Sequence, residues 1–252
     1  MPLVTFTSDF GTSDHYVASV KASLLTYDPK LNIVDISHDI APFNLVHMAF
    51  VLRSVFQEFP KGTIHLIGGE SESKKVLISE IEGHVFVAPD NGILSLIPEN
   101  RLGYVSEVVF EAAGTFSTLH HLVPQVIALL SGKIPDELGP QSTSYKQLTL
   151  RQQKATKREI AGHVIRVDHY GNLITNIKKF DFDILSRNRK YTLQFGRERA
   201  NNIHKGYHEV EPGEVFYTFN ASGLLEIGIN QGNGAQLLGL NFDSPVHIQF
   251  ED

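Results

Sequence analysis

Apolar residues in the first half of the chain alternate between two periods. Runs such as "LVTFT" (3–7), "LNIVDIS" (31–37), "GTIHLI" (62–67), "KVLISEI" (75–81), "HVFVAP" (84–89) and "YVSEVVF" (104–110) have the length and β-branched content of strands. Between them, "DHYVASVKASLLTY" (14–27), "LVHMAFVLRSVFQEF" (45–59) and "HHLVPQVIALLSG" (120–132) place apolar residues at helical spacing. Asp14 is the favoured cap of the first helix, and Gly132 is a stop for the last. "DNGILSLIPEN" (90–100) opens on a turn. Strands alternating with helices predict an α/β domain with a largely parallel sheet. Ligands of such sheets bind beyond the C-terminal strand ends, which marks "TSDFGTSD" and "SHDIAPF".

The pattern changes near residue 136. Residues 136–160 are polar and turn-rich and read as a connector. From 161 onward only short strands follow, among them "GHVIRVDHY", "LITNI", "YTLQF", "EVFYTFN" and "LLEIGIN". The expectation is an α/β domain over 1–135 and a smaller all-β, barrel-like domain over 161–252.

Composition narrows the chemistry. The 252 residues are 42% hydrophobic, enough for substantial cores, and the net charge is -6. Residues 1–150 carry 9 Lys/Arg against 16 Asp/Glu; the remainder carries 13 against 12. No basic stripe points to nucleic acid. The absence of cysteine excludes disulfides, thiolate metal sites and cysteine nucleophiles. No apolar run reaches about 18 residues, so no membrane-spanning helix is expected. "MPLVTFTSDFG" lacks the pattern of a signal peptide, and a soluble cytoplasmic protein is the expectation.

Several windows offer polar groups suited to a small ligand. Asp9, a strand-end carboxylate beside a glycine turn, suits a vicinal diol. No glycine-rich dinucleotide or P-loop motif accompanies it. His38 and Asp39 are neighbours, but adjacent residues in extended chain face opposite ways. Phe43 reads either as a lid over a flat ligand or as core. Asp90-Asn91-Gly92 reads as a structural turn. Ser117, Thr118, His120 and His121 stand ahead of a helix, and no spacing there or elsewhere predicts a metal site. In the second domain Asp168, Tyr170 and Asn172 alternate along "VDHYGNLITNI", the Tyr offering a stacking face. Ser222, Glu226, Asn230 and Asn233 lie in the glycine-rich "NASGLLEIGINQGNG", where Glu226 is expected to face away from its apolar neighbours Leu225 and Ile227.

Taken in order, "TSDFGTSDHYVASVK", "ISHDIAPF", "VFVAPDNGILS", "VDHYGNLITNI" and "SGLLEIGINQG" resemble the S-adenosylmethionine hydroxide adenosyltransferase family, relatives of the fluorinase and chlorinase enzymes. The resemblance spans nearly the whole chain. It implies an α/β domain followed by a β-barrel domain. It also implies a homotrimer whose ligand lies between the first domain of one subunit and the second domain of its neighbour. The implied reaction splits S-adenosylmethionine into adenosine and methionine by attack of water or hydroxide at ribose C5′, with no metal or cofactor. By motif, Asp9 resembles the ribose-diol carboxylate and Phe43 an aromatic residue beside the ligand. Thr118 matches a small position near C5′, and Asp168 a group for the methionine ammonium. Tyr170 and Asn172 resemble the adenine-side groups, Ser222 resembles a carboxylate contact, and Glu226 joins this ligand-binding set.

The chain departs from the family at the positions thought to handle water. Hydrolytic members usually read V-D-P-G-V-G and then an Arg after the "IHL" strand, with a His in T-F-H-G-R-D. Here the Asp falls on Glu70, the Arg near Lys74 or Lys75 in a loop about two residues shorter, and the His on Ser117. Three readings follow: hydrolysis carried by Glu70 and Lys75, with His120 or His121 as a substitute imidazole; another nucleophilic adenosyl transfer; or a catalytically weak adenosyl-binding protein. No obvious halide pocket is present.

Overall fold

A computed structural model describes residues 3–98, 102–111 and 115–251. Two compact units divide at Leu150 and Arg151.

The first unit carries β1 (Leu3–Thr7), α1 (Tyr16–Tyr27), β2 (Asn32–Ser37), α2 (Leu45–Arg53), β3 (Ile64–Ile67), β4 (Lys75–Ile81), β5 (His84–Pro89), β6 (Val105–Val109), α3 (Val123–Leu130) and β7 (Gln141–Ser142). Its seven strands run in the order β2-β1-β3-β5-β4-β6-β7. The first four are mutually parallel, and β4, β6 and β7 add on antiparallel. Strands flanked on both faces need apolar residues on both, and alternate residues enter two cores. Val4, Phe6, Leu66, Val76 and Val87 pack with Val20 and Leu24 of α1 and Val123 and Val126 of α3. Ile67, Leu77, Phe86 and Ala88 pack with Met48, Ala49 and Leu52 of α2.

Three helical expectations change in detail. Asp14 does not cap α1: the cap position is His15, without a side-chain cap bond, and Asp14 is exposed. The run 45–59 is α2 followed by a separate 3-10 turn, Phe56–Glu58, and Asn44 caps α2 by accepting from His47 N–H. The last helix begins as a π-helical turn, Thr118–Leu122, before α3. Residues 99–100 of the 90–100 run and 113–114 of the segment before that turn lie outside the described residues.

The second unit carries β8 (Lys154–Ala155), β9 (Glu159–Val167), β10 (Leu173–Lys178), α4 (Lys179–Leu185), β11 (Tyr191–Phe195), β12 (Glu198–Ala200), β13 (Val215–Phe219), β14 (Leu224–Ile229), α5 (Gly234–Leu238) and β15 (Pro245–Phe250). The order β12-β11-β15-β9-β10-β14-β13, with β8 on β9, is antiparallel throughout. This sheet curls into a half-barrel around Ile160, Val164, Leu173, Ile177, Leu193, Phe195, Leu225, Ile227 and Ile248. A register shift between Ile174 and Thr175 bends β10 against β9. Among the described residues no helix is long and apolar enough to cross a membrane.

Candidate functional site

In the first unit, loops after β1, β2 and β3 gather at the C-terminal ends of the parallel strands. The loop after β1 is anchored to the others by its backbone: Ser8 N–H donates to Ser37 O, Gly11 N–H to His38 O, and Gly68 N–H to Thr7 O. Asp9 is half-buried, and its Oδ2 accepts from Phe43 N–H at 2.9 Å. That bond holds Phe43 at φ 61°, a left-handed conformation costly for a bulky residue. Phe43 is 77% exposed, so it is not core.

Phe10 ties these loops to the π-helical turn. Its ring packs on Phe116 at 5.5 Å and on Tyr16 at 5.8 Å. A Cβ on Gly68 would lie 2.9 Å from the Phe10 ring, so only glycine lets the "IGGE" backbone approach so closely. Asp9, Glu70, Ser117 and Thr118 each lie within two residues of this junction. Thr118 is buried and Ser117 partly so at the start of the π turn, a deformation frequent at functional sites.

The loop 68–75 is held from below by the "DNG" turn. Asn91 Nδ2 donates to Glu70 O at 3.0 Å, while Asn91 Oδ1 accepts from Ile93 N–H. Ser71 Oγ donates to Asp90 O, Ser73 Oγ to Asp90 Oδ2, and Lys146 N–H to Asp90 Oδ1. The turn is therefore structural and also the loop's support, a role that only the tertiary contact reveals. The Glu70 side chain is exposed. Lys75 Nζ pairs with Glu107 Oε2 on β6 at 3.0 Å, and Lys74 Nζ reaches Glu111 O at 3.4 Å. His120 is exposed, and the His121 ring stacks on Phe110 with centroids 3.6 Å apart.

In the second unit the β9–β10 turn organises a polar cluster. Asp168 Oδ1 accepts from Tyr170 N–H and Asn172 N–H, and its Oδ2 accepts from Asn172 Nδ2 at 3.1 Å. Tyr170 is thereby presented 75% exposed. Glu226 lies across the sheet on β14, paired in register with Ile174, and accepts from Asn220 Nδ2 at 3.1 Å. Burial pushes the Glu226 carboxyl up and the Asp168 charge adds to that rise, while hydrogen bonds from Asn220 and Asn172 oppose it. Ser222 sits exposed on the turn that Asn220 Oδ1 closes, accepting from Ser222 N–H and Leu224 N–H. Asp168, Tyr170, Asn172, Glu226 and Ser222 are thus one neighbourhood, with Asn220 as a member the sequence reading passed over. Asn230 instead donates to Val210 O, and Asn233 caps α5.

Close packing fixes this neighbourhood. Gly171 has φ 87°, and a Cβ there would fall 2.4 Å from the Asn233 side chain. Gly171→Ala is expected to cost about 2 kcal/mol by combining left-handed strain with overlap. A melting temperature equal to that of the unaltered protein would contradict it.

The first unit is an open α/β sheet with loops gathered at its parallel strand ends, the place where sheets of this class bind ligands. The description "SAM hydroxide adenosyltransferase N-terminal domain" matches residues 4–139, and the corresponding C-terminal domain matches residues 162–247. The chain therefore belongs to the S-adenosylmethionine hydroxide adenosyltransferase family. It is 29% identical to an (R)-S-adenosyl-L-methionine hydrolase of Methanocaldococcus jannaschii, over 98% of this chain and 96% of the relative. It is 24% identical to a fluorinase of Actinoplanes sp., over 72% of this chain and 74% of that one. A crystal structure of a conserved protein from Thermotoga maritima superposes with a TM-score of 0.86 at 26% identity, covering 98% of this chain and all of that one.

Proposed function

We propose that the protein hydrolyses S-adenosyl-L-methionine to adenosine and L-methionine. A water oxygen attacks ribose C5′ opposite the sulfonium and forms the new C–O bond. The C5′–S bond breaks with its electron pair going to sulfur, which leaves as the neutral thioether of methionine. The water's proton passes to Glu70 or to solvent. The sulfonium is already a good leaving group, so the protein's task is alignment and exclusion of competing water.

In this reading Asp9 accepts the two ribose hydroxyls, Phe43 and Tyr170 flank the flat adenosyl group, and Asn172 contacts the adenine. Asp168 takes the methionine ammonium, Ser222 its carboxylate, and Glu226 braces Asn172. Thr118 and Ser117 border C5′, with Glu70 and Lys75 as the water-handling pair. The protein forms a homotrimer in this reading, and the first unit of one subunit and the second unit of its neighbour supply these groups. The observation that supports the reading most is Asp9, the diol-type carboxylate, held at the strand end beside an exposed aromatic ring. The hydrolases similar to this chain at 29% and 26% identity add weight.

Incubation without metal or halide is expected to release adenosine and methionine in equal amounts by chromatography. Their absence above a heat-killed control contradicts the proposal. Glu70→Gln is expected to lower kcat about tenfold with KM little changed, because an exposed base adds only modestly to what bulk water supplies; an unchanged kcat removes Glu70 from the mechanism.

A second reading rests on a specific contact. Lys75 is engaged by Glu107, so the shortened loop offers less positive charge at Glu70 than an Arg fork would. That favours a protein that binds an adenosyl ligand and turns it over slowly. Ligand-dependent thermal stabilisation without adenosine release distinguishes it.

A further inference from the structure

Beneath the loop that carries Asp9 lies a polar chain whose members have been given no role above. Ser8 Oγ is 2.7 Å from His38 Nδ1, both side chains being buried. His38 Nε2 lies 3.2 Å from Asp35 Oδ1, near enough for charge attraction but without hydrogen-bond geometry, and Lys21 Nζ donates to Asp35 Oδ2. The nearby carboxylate favours an imidazole proton on Nε2, and in that tautomer Nδ1 accepts from Ser8 O–H. Ser8 Oγ then receives Phe10 N–H at 3.5 Å. The contacts run from the loop backbone through Ser8 to His38, with Asp35 beside the far edge of the ring.

The order serine, histidine, aspartate suggests a nucleophile, but Ser8 is fully buried and presents no oxygen to a ligand. A plain core histidine is the simpler alternative, since the ring also meets Phe6 edge-on at 4.7 Å. Such a residue would not need contacts at both ends, nor would its backbone grip the same loop through Gly11 N–H. The parallel β1–β2 register, with Phe6 beside Asp35 and Thr7 beside Ser37, skips Ile36 and brings the three residues together.

We propose that Ser8, His38 and Asp35 are positioning residues: they fix the 8–11 loop so that Asp9 meets a ribose diol while holding Phe43. This rests on the adenosyl-ligand reading of the site, and its test has an arm that needs no ligand. Hydrogen exchange in the full-length protein reads the loop directly. Ser8→Ala and Asp35→Leu are expected to speed exchange of the Gly11 and Phe43 amides about tenfold and to leave the strand amide of Leu66 unchanged. Asp35→Asn keeps an acceptor for His38 and is expected to stay near the unaltered rate. Unchanged Gly11 and Phe43 exchange in Ser8→Ala overturns the proposal, as does equal acceleration at Leu66.

Calorimetry with adenosine supplies the second arm, with about tenfold weaker binding expected in Ser8→Ala and Asp35→Leu. Protonated His38 has no acceptor for Ser8. The charged groups facing it are Asp35, Asp39 and Lys21, and burial lowers its pKa despite Asp35. Adenosine affinity is expected to stay flat through neutral pH and to fall below the ordinary histidine range, and this fall is expected to vanish in Ser8→Ala. A fall of the same size in Ser8→Ala overturns the proposal. Failure of the unaltered protein to bind adenosine sinks the functional reading instead, while the exchange arm still decides the positioning role.

Discussion

Asp9→Ala is expected to weaken adenosine binding about 150-fold. A carboxylate that accepts both hydroxyls of a diol makes two charge-assisted hydrogen bonds, each worth about 1.5–3 kcal/mol. Losing about 3 kcal/mol corresponds to that factor. In the free protein Asp9 uses Oδ2 for Phe43 N–H, so Ala also releases the aromatic residue. Asp9→Asn separates the two effects: an amide oxygen still accepts from Phe43, but charge and one acceptor are gone, and an intermediate loss is expected. Asp14→Ala, an exposed neighbour outside the cap, serves as the control with no change. Calorimetric affinities for the three variants check the series. Equal binding by Asp9→Ala and the unaltered protein would remove Asp9 from the site.

The second large effect concerns stability in acid. His65, fully buried on β3, has Nδ1 2.7 Å from Thr5 Oγ1 and Nε2 3.2 Å from His84 Nδ1. Its ring stacks on Phe86 at 4.6 Å and meets Phe56 and Phe59 edge-on. Burial first, and His84 second, lower the His65 pKa from 6.5 to about 3. The folded protein therefore resists a proton that the unfolded chain takes up below pH 6.5. The stability tied to His65 is complete above that pH and is lost as pH falls toward about 3. At pH 4 the loss amounts to about 3 kcal/mol, a large share of a typical domain's stability. His84 is shifted in the same direction by burial and by Lys61, against Glu82, and adds to the loss. Urea unfolding followed by circular dichroism at pH 7 and pH 4 measures it. His65→Gln, which cannot titrate, is expected to lose about 3 kcal/mol less across that interval. Parallel pH curves for the two proteins would show that His65 does not control acid stability.

The architecture was legible because the hydrophobic period is local. Alternating runs place Val4 and Phe6 in one core and let Leu77 and Phe86 face the other. Polar partnerships were less legible because strand register decides them. His38 stands next to Asp39 in sequence but pairs with Asp35, three residues back, and with Ser8, thirty residues away. Lys75 looks free in its charged loop, yet antiparallel pairing of β4 with β6 sets Glu107 beside it. The role of Asn91 emerges only when its amide meets Glu70 O. The cap of α1 was misread at Asp14, where cap propensity lost to the local geometry that puts His15 at that position, whereas Gly132 does follow the end of α3. In the second unit the Asp168–Asn172 turn could be read almost directly, since its hydrogen bonds span four residues. Its link to Glu226 and Asn220 depends on the β10–β14 pairing.

Oxygen-18 water tests the central account most directly. The protein is incubated with S-adenosyl-L-methionine in labelled water, without metal or halide, and the nucleoside product is analysed by mass spectrometry. Attack at C5′ predicts adenosine carrying one heavy oxygen in its 5′-hydroxyl, with unlabelled methionine in equal amount. No adenosine above the heat-killed control, or adenosine without the label, would contradict it.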